Sequence, residues 1–587
     1  MRLEKSCPHL DRLTRVGTTV LVLTALTLVG AVLLQSGAGF EFSDEGFYLN
    51  WIAQPFDYRW SLSHFGYVYR PLYLLVGGNV AALRATNLLI LLACSWLFHL
   101  RLLHQVWPEP KNRSSLVGLA FAFAPLVWLY LDTWLPTPNY NTLALTALLL
   151  AGFAALGLHQ RSSATWVDVT LLGVSGVIAF LAKPTCGAAL AGLVLIHALV
   201  KGNVRWVPMA ASSGVAGATL LITTIVIDGS PTAFVHRIQL GLADLRMMQG
   251  GYEANALLRL DLPPLNDSLL AIFAVAGICA WSGVRTPFGQ PRPRQLFLDG
   301  VFFAILATSA VLTALRLELR GWQTPAMIAA AVPFAVLVAL VFWRSNQHWN
   351  RTQFASAILV LLLPLVYVTG TNNNQWWTAS KAGIFWVSGA IALLAAFRPV
   401  SVRSLLRLAA ISQVICLLVI VHSAKHPYRQ TAPIYAMKER VSLGAGRGDL
   451  RLSLEGAQYI RELQRIASNA GFVAGQPILD LTGHHPGAVF ALGGRSVGRA
   501  WMIGSYPGRD VLARAVLQRI DREQISRSWI LTEDTGPQQI SPTVLEVHGL
   551  TLEHDFVRVG TLFSPIGTYS TRFNQALYAP KPCTGLH

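Results

Sequence analysis

The chain has little charge for its length: 13% of its 587 residues are Asp, Glu, Lys or Arg, against 53% hydrophobic residues. A soluble globular chain carries roughly 25% charged residues, so this composition excludes a water-soluble protein of that size. Cysteine is scarce as well, with six in all. Cys94, Cys186, Cys279 and Cys416 fall within or at the ends of apolar runs, and only Cys583 lies in the polar tail, so no disulfide framework can form there. There is no C-x-x-C pair and no zinc-finger spacing. Also missing are the P-loop ending, the Rossmann glycine spacing, a G-x-S-x-G elbow, an H-E-x-x-H helix and the kinase signatures. The glycine-rich stretch L-G-G-R-S-V-G-R (492–499) therefore supports no nucleotide site. Acidic residues are the rarer charge, 29 against 46 Lys plus Arg, which gives a formal net charge of +17. The basic residues mostly sit between and at the ends of apolar runs, so topology and phosphate contact explain them and no nucleic-acid partner is expected.

What the chain does have is apolar runs of roughly 17 to 25 residues, each long enough to cross a ~30 Å hydrocarbon layer. They recur from the N-terminus to about residue 421, and the mean hydropathy is +0.47. The run 16–34 follows Arg2, Lys5, Arg12 and Arg15; it is too long for a signal-peptide core and reads as a retained signal anchor. Lys and Arg are held on the cytoplasmic side during insertion. With residues 1–15 inside, the basic loops 101–113, 159–161, 201–205, 285–294, 344–351 and 398–407 also fall inside. The loops 36–71, 132–138, 183–185, 228–266, 316–322 and 371–381 then fall outside, which gives about thirteen crossings. Lys183-Pro184 breaks the long apolar stretch 167–200, because proline removes a backbone donor and disfavours helix in the residue before it; a tight outside turn is expected there. The predicted fold class is a polytopic α-helical membrane protein, residues 16–422, with a C-terminal soluble α/β domain, 423–587, on the outside face. In that tail the pattern predicts helices over 454–470 and 510–520 and strands over 477–481 and 528–532. No internal repeat is visible, which disfavours transporters built from duplicated halves.

The stretch most suggestive of chemistry is S-D-E-G-F-Y-L-N-W, residues 43–51, in the first outside loop, 35–71. Carboxylates at a membrane surface are costly unless they face water, a cation or a partner. The adjacent acids Asp44 and Glu45, flanked by Phe42, Phe47, Tyr48 and Trp51, are candidates to take a proton from an acceptor hydroxyl or amine. The bland alternative is a solvated acid pair beside an interfacial aromatic belt. Arg70, Lys183, His236, Arg237, Arg316, Arg320 and Lys381 fall in predicted outside loops against the positive-inside bias; snorkelling toward headgroups competes with phosphate binding for each. Arg70 and Lys183 stand out because motifs surround them. Asp132 opens D-T-W-L-P-T-P-N-Y-N, whose Asn139, Tyr140 and Asn141 suit either sugar contact or capping of the next helix. The polar and aromatic stretch 369–377 suits sugar stacking or an interface belt. In L-D-L-T-G-H-H-P-G, Asp480, His484 and His485 could ligate a metal, but adjacent histidines rarely share one ion and no third ligand is spaced for it, so no metal residues are assigned.

S-D-E-G-F-Y in the first loop, Arg70-Pro71 toward its end, L-A-K-P-T further on, about thirteen spans and an outside tail together resemble the GT-C glycosyltransferases. The match is to the group of protein O-mannosyltransferases and lipid A aminoarabinose transferases, which is glycosyltransferase family 39-like. The resemblance covers about residues 10–422 and is strongest before residue 200. It implies that Asp44 is the catalytic or acceptor-activating carboxylate, with Glu45 beside it and Asp132 as a second acid. Arg70 and Lys183 would contact the donor phosphate, and His64, Tyr48, Asn139, Tyr140 and Asn141 the substrates. The family's His-Pro-Pro or Lys-Pro at the end of the first loop is replaced here by Arg-Pro, with His64 a few residues earlier. The implied donor is a polyprenyl-phosphate-linked monosaccharide and the acceptor an envelope lipid, polysaccharide or protein, with the chain itself expected in the bacterial inner membrane. A divalent metal, Mg or Mn, is left open. A lipid-linked sugar transporter or flippase and a non-catalytic envelope assembly protein are the competing expectations.

Overall fold

The computed structural model describes residues 8–107, 113–158, 165–202, 204–250, 261–262, 325–342, 350–397, 399–444, 446–567, 569 and 571–581. Helix α1, Pro8–Leu34, is followed by α2 (Asp44–Ala53), α3 (Phe65–Leu75), α4 (Val80–Val106) and α5 (Arg113–Phe123). At Pro125 the last of these tightens into a 3-10 stretch, Ala124–Thr133. Then come α6 (Tyr140–Leu158), α7 (Trp166–Ala182), α8 (Pro184–Lys201), α9 (Trp206–Asp228) and α10 (Pro231–Met247). Beyond the next long stretch lie helices Ala331–Phe342, Arg351–Val368, Ile384–Phe397 and Val402–Lys425. Polar caps mark the starts: Asn79 accepts from the Ala82 amide and Thr165 from the Asp168 amide, each satisfying an otherwise unpaired donor of the first turn.

Among the described residues, eight helices are long and apolar enough to cross a membrane, and Trp166–Ala182 and Ile384–Phe397 are shorter apolar helices beside them. The chain is an integral membrane protein by this measure. Helix α9 shows why water is the wrong solvent for it: Val207 is 80% exposed, Val226 67% and Ile222 63%, an apolar face that suits hydrocarbon. Lys183 adopts extended geometry between α7 and α8, which pack on each other, so the apolar stretch is two helices and not one kinked one. Arg316, Arg320 and the loops 159–161, 285–294 and 316–322 lie outside the described residues.

The helix ends gather into two groups. At one end Arg101 pairs with Asp168 at 2.5 Å, Arg205 donates to the Leu158 carbonyl at 3.0 Å, and Arg351 to that of Val200 at 2.8 Å. These are the basic loops that insertion rules assign to a single side. At the other end the Val80 amide reaches Arg447 O at 3.1 Å, the Tyr428 amide Thr133 O at 3.1 Å, and the Thr185 hydroxyl Thr369 O at 2.7 Å.

The tail sits at that second end. Strands β1 (Glu439–Ser442) and β2 (Asp449–Leu452) form an antiparallel hairpin. A five-stranded sheet has the order β4-β3-β5-β7-β6, with β3 Pro477–Asp480, β4 Arg495–Ser496, β5 Trp529–Glu533, β6 Phe556–Phe563 and β7 Asn574–Pro580. Strand β3 runs parallel to β4 and β5, while β7 is antiparallel to both β5 and β6. The amphipathic helix Leu454–Asn469 buries Ile460, Leu463 and Ile466. Backbone bonds sew the hairpin to the first loop: the Gly39 amide donates to Arg451 O and the Arg451 amide to Gly37 O, both at 2.8 Å. Farther out, Arg495 pairs with Asp57 at 2.7 Å and Arg519 with Asp244 at 2.9 Å.

Candidate active site

The first loop turns into α2 at Glu41-Phe42-Ser43-Asp44-Glu45. Glu41 folds back and accepts the Ser43 and Glu45 amides at 2.9 and 3.0 Å, as well as the Ser43 hydroxyl. In return, Glu45 Oε2 accepts the Glu41 amide at 3.0 Å. The start of α2 is thus rigid and rich in carboxylates, which the positive end of the helix favours. Glu45 points inward. Arg84 donates to its Oε1 from Nε at 2.9 Å and lies 2.7 Å away through Nη2, the Thr137 hydroxyl donates to the same oxygen, and neither charged side chain is more than 2% exposed. The rest of the Arg84 fork is spent on the carbonyls of Ser36 and Gly39, both at 2.9 Å. Glu45 therefore ties α2 to α4 and to the first loop.

Asp44 faces the other way. Its carboxylate pairs with Arg429 Nη1 at 3.1 Å and stays 25% exposed, and the Tyr428 and Tyr48 hydroxyls bond it. Burial raises the Asp44 pKa above the ordinary carboxylate range, while the charges of Arg429 and Lys381 pull it back down. Glu41 is pushed up to about 7, by burial first and then by the Asp44 charge. Arg429 also donates to the Ser43 hydroxyl, so a single guanidinium from the tail spans the turn that presents Asp44.

From Asp44 the cluster runs through Tyr48, on the same helix, to residues of other segments. Tyr48 packs edge-on against Tyr140, with ring centroids 5.8 Å apart. Lys183 lies over the faces of Tyr140 and Tyr367, at 5.4 and 4.7 Å, and donates to Tyr367 O at 3.2 Å. Loss of water brings the Lys183 pKa down to about 8, with the Lys381 charge adding to the shift. Lys381 in turn pairs with buried Asp132 at 3.2 Å. Asp44, Tyr48, Asp132, Tyr140 and Lys183, all named from sequence, thus belong to one cluster.

No protein-family model and no curated protein matches the chain. Among solved structures, the crystal structure of ArnT from Cupriavidus metallidurans bound to undecaprenyl phosphate is similar at 14% identity and a TM-score of 0.43, over 95% of this chain and 97% of that one. The apo structure of the same protein gives 14% identity, the same coverage and a TM-score of 0.42.

The remaining sequence candidates go elsewhere. Arg70 donates to the Ala53 carbonyl at the last turn of α2, where a cation suits the helix dipole. That is about 13 Å along the helix from Asp44, at 1.5 Å per residue. His64 is fully buried, stacked on Phe234 at 4.7 Å, and burial and then Arg237 depress its pKa to about 3. Asn139 caps α6, its Oδ1 accepting the Asn141 and Thr142 amides at 2.8 and 3.1 Å, and it donates to the Tyr130 hydroxyl at 2.6 Å. Asn141 bonds Tyr140 and so adjoins the cluster through it. Arg237 is bound to Asp228 at 2.6 Å.

Sequence reading missed Glu41, Tyr428 and Arg429 as site residues. Glu41 carried a signal, since it lies one helical turn before Glu45. Tyr428 and Arg429 carried none, because they follow the last span and return to the first loop only in three dimensions.

Proposed function

We propose that this chain is an integral membrane glycosyltransferase of GT-C type, moving a monosaccharide from a polyprenyl-phosphate-linked donor to an envelope acceptor. The observation that carries this reading is the asymmetry of the acids. Of the four carboxylates in the cluster, Glu41, Glu45 and Asp132 are at most 4% exposed, while Asp44 is 25% exposed, paired with Arg429 and within reach of the Lys381 charge. An accessible carboxylate of raised pKa is suited to accept a proton, and Arg429, Lys381 and Lys183 are suited to an anionic leaving group.

In the step proposed, the acceptor oxygen or nitrogen attacks the anomeric carbon and its proton passes to Asp44. The bond from that carbon to the phosphate oxygen breaks, and the polyprenyl phosphate leaves with the electron pair. Lys183 and Lys381 hold the phosphate by charge-assisted hydrogen bonds. Arg429 and Lys381 already balance the Asp44 charge, a donor set that does not fit a bound metal ion, so no step is assigned to one.

A transporter would place its ionisable groups near the bilayer midplane. Here the Arg84–Glu45 and Lys381–Asp132 pairs lie at span ends. The test uses purified protein in nanodiscs and liposomes with a radiolabelled polyprenyl-phosphate sugar. Covalent transfer of label to envelope acceptors is expected; redistribution of the intact lipid-linked sugar between leaflets without transfer would overturn the reading in favour of a flippase.

Lys183→Met should raise the donor KM by ~10 to 100-fold, about 1.4 to 2.7 kcal/mol, with less effect on the acceptor KM. Its lowered pKa gives a second readout: as pH rises through about 8 the ammonium is lost and transfer falls. Lys183→Arg, which stays charged, should move that alkaline limb upward; an unmoved limb would exclude Lys183 as the titrating group.

A further inference from the structure

The tail contains a group of metal-ligating side chains next to the cluster at Asp44, with His485 lining one cavity together with Glu41 and Arg429. Strands β3 and β5 are parallel neighbours, with Asp480 in register with Leu531, so the turn leaving β3 and the last residue of β5 meet at the carboxyl ends of two interior strands. That turn carries His484 and His485, and the last residue of β5 is Glu533. His485 is the N-cap of helix Pro486–Leu492, with φ −119 and ψ 45, and this bend sets the two adjacent rings 4.0 Å apart. The obstacle that adjacency raises in sequence is removed by the turn, and the missing third ligand comes from a strand distant in the chain.

The hydrogen bonding leaves this group incomplete. His484 Nδ1 is 2.9 Å from the Thr482 carbonyl, which can only accept, so Nδ1 carries the proton and Nε2 presents a lone pair. That lone pair faces Glu533 Oε2 at 3.3 Å, with both side chains 0% exposed. Glu533 Oε1 is buried with no hydrogen-bond partner among the described residues. Two acceptors facing each other out of water need a proton or a cation between them. His485 Nδ1 is 4.0 Å from Glu533 Oε2, and the Gln575 amide reaches both, at 3.1 and 2.9 Å. Gln575 is itself held by the Tyr459 hydroxyl at 2.7 Å. The His484 Nδ1 contact to a carbonyl is the outer-shell bond that orients metal-ligating histidines.

We propose that His484, His485 and Glu533 bind one divalent transition-metal ion, with zinc favoured by the two-imidazole, one-carboxylate donor set. One ligand atom from each residue already lies within 4.8 Å of the others. Four-coordinate zinc, with bonds of about 2.0 to 2.1 Å, sets its ligands ~3.3 to 3.4 Å apart, which matches the 3.3 Å between His484 and Glu533. The His485 to Glu533 distance closes from 4.0 Å as the ion takes the place of the Gln575 amide between them.

The ion would stiffen the piece of tail on which the first loop rests. The Gly487 amide donates to Phe42 O at 2.7 Å, Asn50 donates to Pro486 O at 2.8 Å, and a Cβ on Gly46 would come within 2.2 Å of the Gly487 nitrogen. This inference stands whether or not the chain transfers sugar.

The test is made on the purified full-length protein in detergent, stripped with EDTA, reloaded with zinc and passed through gel filtration. Wild type should retain about one zinc per chain, its unfolding temperature should rise with zinc concentration as linkage requires, and cobalt in place of zinc should give the visible absorption of a four-coordinate site. His484→Ala and Glu533→Gln should lose the retained metal. Because those variants can misfold, the wild-type titration decides alone: no retained zinc and no zinc-dependent rise in unfolding temperature would mean that a proton bridges His484 and Glu533, and would overturn the proposal. Equal retention by folded wild type and both variants would overturn it as well.

Discussion

Asp44→Asn is expected to lower sugar transfer by ~10²- to 10⁴-fold, the usual contribution of a positioned proton acceptor, while leaving the protein folded and able to bind donor. The amide matches the carboxylate in size, and its oxygen can still accept from Arg429, Tyr428 and Tyr48, so the start of α2 should hold its shape. What it cannot do is accept the acceptor's proton. The pH profile sharpens this expectation. A raised Asp44 pKa means that the carboxylate is lost, and transfer with it, as pH falls through a value above the ordinary ~4 of a carboxyl group. Wild-type transfer should therefore show an acid limb above that value, measured as kcat over a pH series in one lipid. A variant that transfers at the wild-type rate, or a wild-type rate independent of pH on the acid side, would remove Asp44 from the chemistry.

Glu45→Ala should act through stability. It leaves the Arg84 guanidinium buried with backbone carbonyls but no carboxylate beside it, and breaking a buried ion pair by removing one partner costs about 3 to 5 kcal/mol. Arg84→Met should cost a similar amount by stranding Glu45. The double variant, Glu45→Leu with Arg84→Met, should be less damaging than the sum of the two, because no uncompensated charge is left inside. The measurement is the unfolding temperature of the four proteins in one detergent, at a fixed scan rate because membrane proteins commonly unfold irreversibly. Additive losses would show that the two side chains do not depend on each other. Transfer by Glu45→Ala should fall with the folded fraction and recover partly in the double variant, a pattern no catalytic acid would give.

The neighbouring residues Asp44 and Glu45 show how far sequence reaches. An acid pair after the first span was legible as a place where charge meets the membrane surface, and so were the break at Lys183-Pro184 and the Asp132 corner. Which acid would face water was not legible, because successive residues on a helix point about 100° apart and the direction is chosen by Arg84, Thr137 and the Glu41 amide closing around one of them. The place of Arg70 was not legible for a related reason. It sits in the right loop by order, yet the loop folds so that its guanidinium caps the far end of α2. In the tail, the helix Leu454–Asn469 and strands β3 and β5 matched the periodicity because their apolar positions are regular. The β6–β7 pair was not anticipated: β6 has a register shift between Arg558 and Gly560, and β7 buries three consecutive residues, so neither strand alternates cleanly. Glu533 escaped notice as a partner of His484 because only the parallel pairing of β3 with β5 brings them together.

The most direct measurement of the central claim is donor binding and single-turnover transfer on the same nanodisc preparations of wild type and Asp44→Asn, with a radiolabelled polyprenyl-phosphate sugar. The account predicts donor affinities within about threefold of each other, less than 1 kcal/mol, and transfer in the variant reduced at least ~10²-fold. Equal transfer by the two proteins, or a loss of transfer matched by an equal loss of donor binding, would contradict it.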